Sequence, residues 1–269
     1  MLSVIIPTYN RARYLPLALA SLARQTITKD SFEVLVIDDG SSDNTAETVK
    51  NYSELEVKYF RQNHLGVSAA RNLGIEKAAG DILVFFDDDA VADKNWLEEI
   101  EKIMRQEDII TGRVKPLREN LWKYFAPHYY QGEIPLESIV LLEGNCALKR
   151  TVFEKIGGFD SNLDYGHEGE EFIFRAKKNY RIMYYPQMII YHNYAFGFIN
   201  YLKKQFKFGE KAAYLKTIGH RPKNISSTNQ LLEKSSLATK IIVKLLAKIG
   251  SLAHWAGWIV GALKYKKYD

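Results

Sequence analysis

Apolar residues in the first third of the chain fall in short runs, each followed by polar residues. Residues 3–6, 32–37 (FEVLVI), 57–60 and 82–86 (ILVFF) are rich in Val, Ile, Leu and Phe. Runs of this length bounded by turn residues predict strands, and the continuous ones predict strands covered on both faces. Between them the period changes. Leu15, Ala18, Leu19 and Leu22 share one face of a helix predicted over 15–25. The turn-forming stretch 38–43 leads into a helix over 45–52, capped by Ser42 or Asp43. Residues 66–79 form a third helix, with Gly80 in a C′-like position. This alternation of strand and helix with short connections predicts a doubly wound, mostly parallel sheet.

Beyond it the pattern is looser. A helix is expected over 96–104, an irregular segment over 112–142, a helix over 172–178, and two strands, 181–185 and 188–191, around Pro186. The aromatic run 122–130 stacks on sugar or lipid in one reading and is core packing in the other. In the tail, Lys240, Lys244 and Lys248 recur every four residues among Ile241, Ile242, Leu245, Leu246 and Ile249. After Gly250 the apolar stretch 252–263 carries Trp255 and Trp258, and Lys264, Lys266 and Lys267 follow. A spanning helix needs about 20 apolar residues, and this stretch is too short. A lysine stripe with terminal Trp residues fits a helix lying in the membrane interface; a helix packed on the protein body with its lysines outward is the other reading.

Charge separates the tail from the rest. The net charge is +5, yet residues 201–269 hold 14 Lys and Arg against 3 Asp and Glu, a balance of +11 that leaves −6 elsewhere. A mildly acidic body with a basic tail points to an anionic surface, lipid or nucleic acid. No nucleic-acid recognition motif accompanies it. The single cysteine, Cys146, excludes an internal disulfide and suits a reducing compartment. Residues 1–7 read as a strand rather than a secretion signal, so a peripheral position on the cytoplasmic face of the cell membrane is expected.

The main chemical signal is where the run 82–86 ends, at Asp87-Asp88-Asp89. Two charges ~4 Å apart repel by ~4 kcal/mol at an effective dielectric of ~20. Three carboxylates behind a buried strand therefore call for a cation, and hard oxygen ligands suit Mg²⁺ or Mn²⁺. In open parallel sheets ligands bind beyond the carboxyl ends of the strands.

This run is the last of four ordered blocks: Val4-Ile5-Ile6-Pro7-Thr8-Tyr9-Asn10-Arg11, Val36-Ile37-Asp38-Asp39-Gly40-Ser41-Ser42-Asp43, Asn63-His64-Leu65-Gly66-Val67-Ser68-Ala69-Ala70-Arg71-Asn72 and Phe86-Asp87-Asp88-Asp89. With Glu143-Gly144-Asn145-Cys146-Ala147-Leu148-Lys149-Arg150 and Ile156-Gly157-Gly158-Phe159-Asp160 further on, they resemble the inverting family 2 glycosyltransferases of GT-A fold over roughly residues 2–195. The resemblance implies a Rossmann-like α/β architecture, with a nucleotide-sugar-binding half over 1–110 and an acceptor-binding half over 111–198; the tail's own pattern adds C-terminal amphipathic helices over 199–269. The resemblance also implies transfer from a nucleoside-diphosphate sugar, a UDP-sugar foremost, to a lipid-linked or glycan acceptor hydroxyl. Pro7, Thr8 and Tyr9 would line base and ribose, Asp39 would accept from the base, and Arg71 would pair with phosphate or a base carbonyl. Asp87 would face ribose and metal and Asp89 would bind the cation. Asp88 would turn away or toward the donor sugar, and His192 would touch metal or diphosphate.

The chain departs from the family at the catalytic base. The family's Glu-Asp-x-Glu-Leu block is here Glu168-Gly169-Glu170-Glu171-Phe172, which puts Gly169 where the base aspartate belongs. Glu168, preceding the predicted helix, is the expected substitute. Glu170 is the second candidate, and Glu171 is left to pair with Arg175 at i+4. Two alternatives stand beside this expectation. One is a catalytically impaired sugar-nucleotide-binding protein on the same scaffold. The other is a haloacid-dehalogenase-like phosphatase, whose Asp-x-Asp signature also follows a strand but opens its fold.

Overall fold

In the computed structural model, which describes residues 1–126, 129–192, 197–220, 232 and 235–265, every residue of strand β1 (Leu2–Thr8) is buried. Both faces of the sheet around it are covered. Val4, Ile6, Val34, Val36, Val84 and Phe86 face one core, against helices α1 (Leu15–Ala23) and α4 (Trp96–Ile103). Their neighbours Ile5, Leu35, Ile37, Leu83 and Phe85 face the other, with Phe153, Phe159 and Phe172. That second face is formed by α3 (Val67–Lys77), α5 (Arg150–Ile156) and α6 (Glu168–Ala176). The strict alternation follows from the two-residue period of a strand.

Among the described residues the sheet has nine strands. β3 (Val57–Arg61), β2 (Phe32–Asp38), β1 and β4 (Ile82–Phe86) run in that spatial order and are parallel. β8 (Asn145–Lys149) then runs antiparallel to β4 and to β6 (Ile109–Pro116). β9 (Met183–His192) lies parallel to β6, and the short β5 (Ala90–Ala92) and β7 (Leu136–Glu137) run antiparallel to β9. The sheet is thus mixed but mostly parallel in its first half, as expected. The expected division at 110/111 falls inside β6.

Several elements differ from the sequence expectation. The segment expected to be irregular from 112 onward begins as the end of β6. The two strands expected around Pro186 are one strand, with a register shift opposite Gly112/Arg113. The helix α2 (Thr45–Lys50) is capped at Asn44, one residue after the expected cap, while Asp43 accepts from the Thr45 amide. Helix α3 ends at an extended Ala78 rather than at a glycine cap. Gly80 instead lies against β1, where a Cβ would come within 2.6 Å of the Met1 carbonyl. Helix α6 starts at Glu168, four residues before the expected start, so Glu168 belongs to the helix rather than preceding it. Polar residues there masked the helical period.

At the C-terminal end, α7 (Phe198–Thr217) and α8 (Leu237–Tyr265) pack side by side. Gly250 does not break α8. It faces the Tyr201 ring, and Gly209 and Gly257 let the two backbones touch, since a Cβ on either would overlap the facing helix's carbonyls. The aromatic run near 122 packs: Trp122 lies 5.5 Å from Tyr201 and 5.6 Å from Phe125, centroid to centroid. Pro127 and His128 of that run, and Lys266 and Lys267 of the tail, lie outside the described residues.

Candidate active site

The parallel strands β1, β2 and β4 end at one edge, and the polar clusters that close them meet there. The Asp39 amide donates to the Thr8 carbonyl at 2.9 Å, and the Thr8 hydroxyl donates to Asp88 Oδ2 at 2.7 Å. Asn10, with φ of 54°, adopts the left-handed conformation that asparagine tolerates better than most residues. From there its Oδ1 accepts the Ser42 amide at 2.8 Å, joining the β1 and β2 loops. Asp39 is buried. Its carboxylate takes the amides of Leu65 at 2.8 Å and Gly66 at 3.0 Å, and His64 Nδ1 stands 2.8 Å away. Tyr9 is 42% exposed and stacks on the His64 ring at 4.1 Å. Pro7 is buried within β1. Thr8, Tyr9 and Asp39 therefore stand together at the edge, with an aromatic surface open to solvent.

The acidic triplet divides by direction. Asp88 turns inward to Thr8, and burial, with Asp89 close by, pushes its carboxyl up to about 7. Asp87 and Asp89 meet His192, the last residue of β9. His192 Nε2 is 3.0 Å from Asp89 Oδ1 and 3.6 Å from Asp87 Oδ2. The register explains the meeting: β5 begins directly after the triplet and pairs Ala90 with His192. One ligand atom from each of Asp87, Asp89 and His192 falls within 4.8 Å of the others, so these side chains can hold a metal ion.

Charge around this group is arranged in pairs. Arg11 reaches Asp89 Oδ2 at 3.2 Å. Burial acts to raise the Asp89 carboxyl, but His192 and Arg11 outweigh it and hold the group below its usual range. Burial acts to lower the His192 imidazole, and Asp89 and Asp87 outweigh it and raise it. Asp87 is raised, chiefly by burial. Lys204 of α7 is pulled down to about 8 by burial, against the attraction of Asp89 and Asp87. Arg11 and Lys204 are cations that the sequence expectation missed. Arg11 stood in a quoted block without a role, and the period of the tail gave no sign that Lys204 turns toward the acidic group.

A second carboxylate group lies next to the first. Gly144, just before β8, presses on Asp87 so closely that a Cβ would overlap the Asp87 carboxylate. Arg71 of α3 is buried and pairs with Glu168 Oε1 at 3.0 Å, so it is an internal ion pair rather than a surface one. Arg71 Nε and Glu168 Oε2 stay buried without a hydrogen-bond partner among the described residues. Glu143 Oε1 accepts the Gly169 amide at 2.5 Å. Burial, together with the nearby Glu168 charge, pushes Glu143 up to about 7. Glu170 is on another side of α6, toward α7, against His167 Nδ1 at 2.8 Å and His220 Nε2 at 3.4 Å. The structure thus brings Glu168 to the site region and not Glu170. Glu171 pairs with Arg175 at 2.6 Å as expected.

A mixed sheet, parallel in its first half and covered by helices on both faces, with an Asp-x-Asp element beside a histidine at its strand ends, belongs to the GT-A-like class of α/β folds. Within that class the chain belongs to glycosyl transferase family 2, whose family model matches residues 3–159. The glycosyltransferase AglE of Haloferax volcanii is 30% identical over 220 residues, covering 77% of this chain and 71% of that protein. Validoxylamine A glucosyltransferase of Streptomyces hygroscopicus subsp. jinggangensis is 44% identical over 103 residues, which is 37% of this chain. The match spans only 24% of that relative's length. Among solved structures, residues 1–349 of S. aureus TarS in complex with UDP-GlcNAc share the fold at a TM-score of 0.62 and 21% identity, covering 100% of this chain and 92% of that one. The mannosyltransferase PcManGT from Pyrobaculum calidifontis, in complex with GDP-Man and Mn²⁺, does so at 0.66 and 18% identity, covering 100% and 87%.

Proposed function

We propose that the protein transfers a sugar from a nucleoside-diphosphate sugar to an acceptor hydroxyl, with inversion at the anomeric carbon and with Mn²⁺ or Mg²⁺ as cofactor. The observation that carries this reading is the convergence of Asp87, Asp89 and His192 at the end of β4, in a chain of this family. The two carboxylates fit Mn²⁺ or Mg²⁺, and the imidazole favours Mn²⁺ of the two. The ion would neutralise charge on the departing diphosphate. Structural relatives carrying UDP-GlcNAc, and GDP-Man with Mn²⁺, support the same assignment.

The chain's own residues supply the rest. Tyr9 and its His64 partner offer a stacking surface for the base, and Thr8 and Asp39 offer polar groups beside it. Arg11 and Lys204 bring positive charge to the diphosphate position. The inner group of Glu143, Glu168 and Arg71 holds the carboxylate that takes the acceptor proton. Glu170, turned toward His167 and His220, has no part in that step.

For the acceptor side we propose a lipid-linked or glycan substrate met at an anionic membrane surface on the cytoplasmic face. Trp255 is 63% exposed, and Ile241, Leu245 and Leu252 stand exposed beside Lys244 and Lys248 on the outer face of α8. Among the described residues no helix is long and apolar enough to cross a membrane. Calorimetric titration with UDP-GlcNAc and GDP-Man, each with and without Mn²⁺, tests the donor assignment. Binding of at least one that strengthens with Mn²⁺ is expected; no binding of either would refute it.

A further inference from the structure

Gly169 occupies the family's base position, and its surroundings show why a side chain is absent there. A Cβ on Gly169 would lie 2.6 Å from the Glu143 Cδ and 2.8 Å from the Leu141 carbonyl. The space an aspartate would fill is therefore taken by the Glu143 carboxylate, held there by the Gly169 amide at 2.5 Å. The carboxylate at this place thus comes from the residue two before β8, set against the start of α6.

We infer that Glu143, rather than Glu168, is the catalytic base, an assignment that rests on the transferase reading above. In the step, the acceptor hydroxyl oxygen bonds to the anomeric carbon while the bond from that carbon to the diphosphate oxygen breaks. The electron pair leaves with the nucleoside diphosphate, and the hydroxyl proton passes to the Glu143 carboxylate, which later releases it to solvent. Position supports the assignment. Gly144, the next residue, touches Asp87, so the chain at Glu143 runs one residue from a proposed metal ligand. Glu168 is less suited: its Oε1 is committed to Arg71, and its Oε2 is shut off from solvent. Glu143 is only partly buried. The charged groups acting on it are Glu168 and Arg71. Its elevated affinity for protons suits a base working near neutrality.

The test uses the full chain with Mn²⁺ and UDP-glucose, UDP-GlcNAc or GDP-Man, reading nucleoside diphosphate release. Glu143→Gln keeps the size of the side chain and an oxygen for the Gly169 amide, so the fold is preserved. It should lower kcat by ~10²–10⁴-fold with donor KM nearly unchanged. Glu143→Gly should regain release at least about tenfold in added formate, a small carboxylate that fits the vacated space. A Glu143→Gln enzyme with wild-type kcat, or a kcat-only loss in Glu168→Gln instead, would overturn the assignment. Wild-type protein that releases nothing from all three donors would overturn the transferase reading itself.

Discussion

Asp88 shows at the scale of one residue how the site trades stability for an acidic cluster. Its carboxyl is held at about 7 in the folded protein, against about 3.9 for an unfolded chain. A raised carboxyl stabilises the fold below its unfolded value and loses that contribution as pH rises to its folded value. Metal-free protein should therefore lose stability between pH ~4 and ~7, by a few kcal/mol from this group. Asp88→Asn should remove the loss: in urea unfolding with EDTA, its advantage over the wild type should grow across that window and level off above it. A pH-independent difference would contradict the assignment. Asp87 and Asp89 stood out in the sequence because they close a buried apolar run, whereas His192 was named only through the resemblance and reaches them through the pairing of β5 with β9. The contact between Glu143 and Gly169 was not legible. These two positions, 26 apart in the chain, meet only once the segment before β8 reaches the start of α6.

Among the elements, Asn145 at the start of β8 fastens three strands and a helix. Its Oδ1 accepts from Trp96 Nε1 at 2.8 Å, and its Nδ2 donates to the carbonyls of Arg113 and Met188, both at 3.0 Å. Asn145→Ala leaves these buried groups unpaired. It should cost about 3 kcal/mol in denaturant unfolding, and a cost below about 1 kcal/mol would contradict this role. The α7–α8 pair depends on close backbone approach. Gly257→Ala should destabilise by about 1–3 kcal/mol, read as a lowered Tm; an unchanged Tm would show that the helices do not meet there. The central strands were readable because their apolar runs are unbroken and end in turns. β6, β9 and the start of α6 were harder. Gly112 and Pro186 interrupt the strand pattern, and Glu168, Glu170 and Glu171 hide the start of the helix.

For the whole molecule, α8 packs on the protein body, and the proposed membrane contact falls to its outer face. One face packs on α7, with Trp258 under Lys216 at 5.5 Å. The outer face keeps Leu245, Leu252 and Trp255 exposed among lysines. The triple substitution Leu245→Glu, Leu252→Glu and Trp255→Glu should abolish sedimentation with anionic liposomes while leaving Tm unchanged; undiminished binding would refute the interfacial role. The central claim is that donor chemistry depends on a cation held by Asp87, Asp89 and His192. Nucleoside diphosphate release from a sugar donor, measured for wild type and Asp89→Asn with Mn²⁺ and with EDTA, tests it directly. Release by the wild type in Mn²⁺, suppressed by about 10²-fold or more in EDTA and in Asp89→Asn, is the predicted result. Undiminished release in EDTA, or by Asp89→Asn, would contradict it.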